Sequence, residues 1–340
     1  MKKNYKVGIV GASGLVAGEL RALLEARDFP VEALSLFGGM EDAGEAVEFR
    51  GETIGIEAMR SDYHQGLDLV FFAAHPLVSR DLAENAAQAG VTVIDASRTF
   101  RLDRNTPLVT PELNAHRLAA AGKGGRIIAS PGPCAIALAL VLHGIGKEFG
   151  IERATALALY PSSFEGRAGL DEHQEQTVAL LNQQEFKVAR FPRQTAFNIF
   201  PQVGKFNGAA TEEEQDVAAE LKKILERPDL RIAVTCAQVP VFVGISILLG
   251  LETGKPASEE KLRDLLAHSP GVAVLDHPEQ DQYPDLMTSM DSERVLAGRI
   301  RRDPDSDRHF QIWISADNLR KGSSLNMVAI AEKLIELKLI

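Results

Sequence analysis

The chain has 340 residues, 45% of them hydrophobic and 25% charged, with a formal net charge of −10 at pH 7 and only two cysteines. That balance excludes a disulfide scaffold and supplies no basic stripe for a nucleic acid. The length suggests about two domains, each with a core of ordinary size. No apolar run approaches the ~20 residues of a membrane span, and Met1-Lys2-Lys3-Asn4 leads straight into a strand pattern without a signal peptide. Neither Cys134 and Cys236 nor any His and carboxylate cluster has metal-ligand spacing. The expectation is a soluble cytoplasmic protein with no metal, nucleic-acid or membrane partner.

Residues 5–21 have strand-turn-helix form. Val7, Ile9 and Val10 make the strand, Gly11 and Gly14 bracket the turn, and Leu15, Leu20, Leu23 and Leu24 continue a helix. Ala17 stands where the usual glycine fingerprint has its third glycine. Such a turn lets the pyrophosphate of a dinucleotide approach backbone N–H groups at a helix N-terminus, and it also serves as a tight turn with no ligand. Val31 to Phe37 reads as a second strand. The loop after it carries Glu41 and Asp42 and no arginine, which favours NAD over NADP if a dinucleotide binds; a solvated acidic turn reads the same way. Leu67 to Ala73 and Val91 to Asp95 are near-continuous apolar runs, as in buried parallel strands, with a helix from Ser79 to Ala89 between them. This order predicts a doubly wound α/β domain, ending near residue 130.

The next stretch, Ser130-Pro131-Gly132-Pro133-Cys134, joins the apolar run Gly125 to Ala129 to a helical pattern from Ala135 to Lys147. Cys134 falls in the first turn of that helix, where backbone N–H groups and the positive dipole end stabilise a thiolate, so it is a candidate nucleophile. The same spacing suits a small apolar side chain wedged into a corner. Farther on, Ala154 to Tyr160 reads as a strand, followed by helices from Asp171 to Asn182 and from Thr211 to Glu226, the latter opened by a Thr211/Glu214 capping box. Leu230 to Val239, and Pro240 to Glu252 with its alternating Val241, Val243, Ile245, Ile247 and Leu249, predict a mostly antiparallel sheet covered on one side. Strands are also expected at Val272 to Leu275, Arg294 to Ile300 and Phe310 to Ser315, and a closing helix from Ser324 to Lys338.

Five stretches taken together carry a resemblance. They are Val10-Gly11-Ala12-Ser13-Gly14-Leu15-Val16, Pro107 to Asn114, Thr195 to Gln202, Thr235 to Val241, and Ala316 to Asn326. In this order they resemble the aspartate-β-semialdehyde dehydrogenase family nearly end to end. The resemblance implies a Rossmann-like nucleotide-binding domain over 1–130, with helix 318–340 packing back onto it. An α+β dimerisation and catalytic domain with a mostly antiparallel sheet is implied over 131–317. It further implies a homodimer, an NAD(P) cofactor and a place in amino-acid biosynthesis. In that family a cysteine thiolate takes the acyl group, hydride from NADPH reduces the thioester, and a histidine moves the proton. Cys134 falls at the nucleophile, Arg101 at the phosphate-holding arginine and Glu213 at a glutamate that contacts the substrate amine. Gly11, Ser13, Gly14, Leu15 and Val16 form the cofactor-phosphate turn, and Asn326 matches a residue near the nicotinamide.

The departures cluster at the chemistry. Gln238 stands where the family has the arginine that grips the substrate carboxylate, and Ile245 where it has the proton-shuttling histidine. Pro133 replaces an asparagine, Pro161 a glutamine and Asp216 a lysine. This pattern resembles the Usg-type branch, whose members lack the full catalytic set. Two readings follow: a family-fold dimer without standard dehydrogenase activity, or an NAD(P)-dependent oxidoreductase acting on another aldehyde or acyl phosphate through a Cys134 thioester. A third is cysteine acyl transfer without a redox step. His75 and His173 are the candidate replacements for the missing base.

Overall fold

The computed structural model describes residues 4–120 and 125–340. The reading of Met1 to Lys3 as a plain lead-in lies outside the described residues. The chain forms two compact units, Met1–Gly132 with Ser323–Ile340, and Pro133–Gly322.

The first unit runs β1 (Tyr5–Val10), α1 (Leu15–Ala26), β2 (Val31–Gly38), β3 (Ala46–Phe49), β4 (Glu52–Ala58), β5 (Leu69–Phe72), α2 (Pro76–Gln88), β6 (Thr92–Asp95), α3 (Pro111–Asn114), α4 (His116–Ala120) and β7 (Arg126–Ala129). Its sheet has the order β3-β4-β2-β1-β5-β6-β7. All neighbours are parallel except the β3–β4 hairpin. The apolar runs are buried because both faces are covered: Val7, Ile9, Leu36, Phe71 and Ile94 sit in one core with Leu20, Leu23 and Leu24 of α1. Met327, Val328, Ile330, Ala331 and Leu334 of the C-terminal helix, Leu325–Glu336, join the same core. The β3–β4 hairpin has no counterpart in the sequence reading; its short strands are half exposed and lack a clean alternation.

The second unit runs α5 (Pro133–Glu148), β8 (Arg153–Tyr160), α6 (Gly166–Leu181), β9 (Phe206–Asn207), β10 (Ala210–Thr211), α7 (Glu212–Ile224), β11 (Ile232–Gln238), β12 (Ile245–Glu252), α8 (Glu259–Ala267), β13 (Val272–Val274), α9 (Leu286–Ser289), β14 (Val295–Arg302) and β15 (His309–Ala316). Its main sheet, β11-β8-β12-β15-β14-β13, is antiparallel except for the β11–β8 and β14–β13 pairs. Helices α5, α7 and α8 pack against the sheet. Every residue of α5 from Pro133 to Leu142 is buried, which suits a helix apolar all round and places it at the centre of the unit. Fully burying side chains such as Leu138, Leu140 and Leu142 contributes roughly 1.5–3 kcal/mol each. Strand β8 alternates as a half-covered strand must: Ala154, Ala156, Ala158 and Tyr160 are buried, while Arg153, Thr155 and Leu157 are exposed.

Two readings need correction here. Strand β12 begins at Ile245, so Val241 and Val243 belong to a loop; Gly244, at φ +93°, separates them from the strand. Helix α6 starts at Gly166, a turn before Asp171. Helix α8, which the sequence reading left out, is amphipathic and capped by Ser258.

Candidate active site

In the second unit Cys134 is the second residue of α5 and is fully buried. Around it stand Tyr160, Glu213, Glu220 and Cys236. Strand register explains part of this grouping. Cys236 pairs with Ala158 and Gln238 with Tyr160, so all four side chains lie on the face that the helices cover. Glu213 and Glu214 are in the first turn of α7, where carboxylates are favoured by the helix dipole. The capping box of Thr211 and Glu214 forms, and the second oxygen of Glu214 accepts a hydrogen bond from the Cys236 N–H at 3.0 Å, tying α7 to β11. The Tyr160 hydroxyl donates to Glu213 Oε1 at 2.6 Å.

This setting opposes a resting thiolate, contrary to the expectation from the helix terminus. Burial pushes the Cys134 thiol well above its ordinary value and Glu213 raises it further; hydrogen bonding by Tyr160 partly offsets this, and Glu220 adds to the rise. Burial raises Cys236 as well, with Cys134 next among the causes. The dipole contribution is small beside the loss of hydration in a fully enclosed position.

At the two departures the surroundings are apolar or already satisfied. Ile245 opens β12 with no exposed surface. The Gln238 amide nitrogen donates to the backbone carbonyls of Tyr160 at 3.0 Å and Val239 at 3.1 Å. Asn318 accepts from the Gly244 N–H at 2.7 Å and donates to the Ser163 hydroxyl at 3.1 Å, which fixes the chain just before Ile245. His173 on α6 meets Ser162, with Nδ1 2.7 Å from the hydroxyl oxygen, and stacks on Phe242 with ring centroids 4.4 Å apart. Burial lowers its basicity, so the imidazole is neutral at pH 7. Asp216 lies half-buried on α7.

In the first unit, Gly11 has φ +82°, and a Cβ there would lie 2.5 Å from the Ala73 carbonyl oxygen, so only glycine fits the turn. Gly14 is the N-cap of α1, and no side chain caps that helix, which leaves its N-terminus available to an anion beside Ser13, Leu15 and Val16. Ser130 brings Arg101 and Asn326 together. Arg101 donates to the Ser130 carbonyl at 3.1 Å and the Ala96 carbonyl at 2.6 Å. Asn326 donates to the Ser130 hydroxyl at 2.8 Å and the Val109 carbonyl at 2.9 Å. Asn326 Oδ1 is buried with no hydrogen-bond donor facing it among the described residues. The glycine cradle, the uncapped helix and this acceptor suit a dinucleotide, whose carboxamide N–H could meet such an oxygen.

Asp42 closes the turn after β2 by accepting from the Gly39 N–H at 2.9 Å, and Glu41 is exposed beside it. His75 caps α2, its Nδ1 accepting from the Leu77 N–H at 3.3 Å. Among the described residues, no group of three or more His, Cys, Asp or Glu is placed to hold a metal ion, and no helix is long and apolar enough to cross a membrane. The sequence reading named His173 but missed its partner Ser162, and it missed the placing of Tyr160 and Cys236 beside Cys134. The period-two pattern of β8 could have flagged Tyr160 as inward-facing, whereas Cys236 needed the β11–β8 register.

Two family models match the chain: Semialdehyde dehydrogenase, NAD binding domain, over residues 6–121, and Semialdehyde dehydrogenase, dimerisation domain, over residues 142–321. The aspartate-semialdehyde dehydrogenase of Aquifex aeolicus is 34% identical, the alignment covering 99% of this chain and 100% of the relative. That of Bacillus subtilis is also 34% identical, with 100% of both chains covered. The crystal structure of aspartate semialdehyde dehydrogenase II from Vibrio cholerae superposes with a TM-score of 0.93 at 32% identity, covering 98% of this chain and 99% of that one.

Proposed function

Because the chain belongs to the aspartate-semialdehyde dehydrogenase family, we propose that it is a homodimeric, dinucleotide-binding member without the standard dehydrogenase reaction, of the Usg-like kind. The observation that carries this reading is the pair Gln238 and Ile245. The Gln238 amide is spent on two backbone carbonyls, and Ile245 has no proton to move. General acid–base catalysis alone contributes ~10²–10⁴ in rate, and an arginine gripping a carboxylate in a dry site adds several kcal/mol. The raised Cys134 thiol adds to the deficit, since the thiolate is the nucleophile.

Cofactor binding is retained in this reading. The Gly11–Val16 turn would hold the pyrophosphate and Asn326 would face the nicotinamide end, with Glu41 and Asp42 favouring NAD over NADP. When bound, the nicotinamide supplies hydride chemistry. The dimer would form through the second unit, whose sheet carries a row of Leu157, Leu248 and Trp313 on its open face. Steady-state assays with aspartate semialdehyde, phosphate and either nicotinamide cofactor test the proposal. Turnover within ten- to a hundredfold of a typical enzyme, ~10 per second, would overturn it.

A further inference from the structure

Within the second unit a buried tyrosine hydroxyl links a thiol to a carboxylate. The Tyr160 hydroxyl donates to Glu213 Oε1 at 2.6 Å. Its oxygen also meets the Cys134 and Cys236 sulfurs by hydrogen bonding. A phenol has one proton to give and lone pairs to receive others, so with its proton turned to Glu213 it accepts from the thiols. We infer that Tyr160 and Glu213 form a proton relay for Cys134, through which the thiol accepts an acyl group without first resting as a thiolate.

The fold pins each member. Two donors converge on the Tyr160 carbonyl, the Gln238 amide at 3.0 Å and the Val239 N–H at 3.1 Å. Gln238 therefore serves to hold the tyrosine. The ring is set edge-on to Phe164, with centroids 4.7 Å apart. Glu213 lies in the first turn of α7, where the helix dipole favours the carboxylate. The Glu214 bond to the Cys236 N–H, at 3.0 Å, fixes that turn against β11. Cys134, Tyr160 and Glu213 are all buried, so bulk water does not compete for these bonds.

The groups acting on the Cys134 thiol are Glu213 and Glu220 of α7 and Tyr160 of β8. Cys236 of β11 faces the same hydroxyl, and Lys321 is buried next to the Gly322 that packs on Pro133. Burial and the two acids oppose a standing thiolate, so the proton has to leave during attack. The sulfur attacks the carbonyl carbon of an activated ester or an acyl phosphate. The S–H proton passes to the Tyr160 oxygen as the Tyr160 proton passes to Glu213, which leaves the tyrosine neutral. An S–C bond forms, the bond to the leaving group breaks, and the leaving group departs with that electron pair. The oxidation level of the acyl carbon does not change. First-turn N–H groups of α5, unpaired within the helix, supply donors for the charge on the acyl oxygen. This step needs neither hydride nor dinucleotide, so it stands or falls separately from the function proposed for the whole protein.

The test is acylation of the full-length protein by para-nitrophenyl acetate with no nicotinamide cofactor added. The nitrophenolate burst gives the rate, peptide mass spectrometry gives the site, and Cys134→Ala is the blank. The parent's rate constant should be flat between about pH 7 and 9, because the relay draws on the neutral thiol. In Tyr160→Phe and in Glu213→Gln the rate near pH 7 should fall about a hundredfold or more. It should then climb about tenfold per pH unit, since only preformed thiolate is left to react. A merely structural role for either residue would lower the rate without tilting the profile. The inference would be overturned by a parent rate that itself climbs about tenfold per pH unit, or by a parent left unacylated at Cys134. A folded variant that keeps the parent's rate and flat profile would overturn it as well.

Discussion

Replacing Tyr160 by phenylalanine tests whether the cluster around Cys134 is held as described. The hydroxyl donates a 2.6 Å hydrogen bond to Glu213, and both residues are buried. A hydrogen bond to a charged group is worth ~1.5–3 kcal/mol, and its removal leaves one carboxylate oxygen short of a donor in a dry site. The ring stays, with its edge-on contact to Phe164 at 4.7 Å, so no cavity term is added. The expected loss is about 2 kcal/mol, roughly a thirtyfold fall in the folding equilibrium constant. Urea denaturation would read it as a lower midpoint at unchanged slope. A double-mutant cycle with Glu213→Gln should return a coupling of ~1 kcal/mol or more, because the neutral amide still accepts but without charge assistance. The variant should also alkylate more slowly at Cys134, since a group that favoured the thiolate has gone. Stability within ~0.5 kcal/mol of the parent would refute the argument, because a buried, charge-assisted bond cannot be that cheap to lose.

Alkaline pH should destabilise the protein. Both cysteines are raised by burial, so above the ordinary thiol value near 8.5 the unfolded chain releases protons that the folded chain keeps. Stability is then flat below that pH and falls above it by up to ~1.4 kcal/mol per pH unit for each thiol, a slope that Cys236→Ala should reduce in denaturation series. Gly11→Ala should cost ~2–3 kcal/mol and abolish NAD binding, because φ is positive there and the new methyl meets the Ala73 carbonyl; unchanged calorimetric affinity for NAD would argue against the turn as the cofactor site. The double variant Gln238→Arg/Ile245→His should raise semialdehyde dehydrogenase turnover at least about a hundredfold over the parent, and turnover equal to the parent's would show that the deficit lies elsewhere.

Much of the architecture was legible because it follows from burial. Fully covered parallel strands must be apolar throughout, and half-covered strands must alternate; Leu69–Phe72 and Ala154–Tyr160 obey these rules. The β3–β4 hairpin and the end of the Val239–Gly244 loop were not legible, since exposed strands and loops carry no such constraint. At the site, Cys134 could be located on its helix from spacing alone, but its titration could not. That depends on burial and on Glu213, Tyr160 and Glu220, brought in by two other elements through strand register and helix docking. A local rule about helix N-termini was outweighed by desolvation that only the packed structure reveals.

The substitutions at the chemistry have a physical consequence for the scaffold. An arginine at position 238 and a titrating histidine at 245 would each be enclosed, and an enclosed charge without a substrate partner costs several kcal/mol. Glutamine instead closes two hydrogen bonds to backbone carbonyls, and isoleucine fills its place with apolar contact. In the reading proposed above, neutral replacements of this kind stabilise the chain, so the parent should be more stable than the Gln238→Arg/Ile245→His variant, by several kcal/mol in urea denaturation. If the double variant were instead equally stable, the groups at 238 and 245 would be hydrated or paired in the folded protein, and the dry, neutral character assigned to this end of the sheet would be wrong.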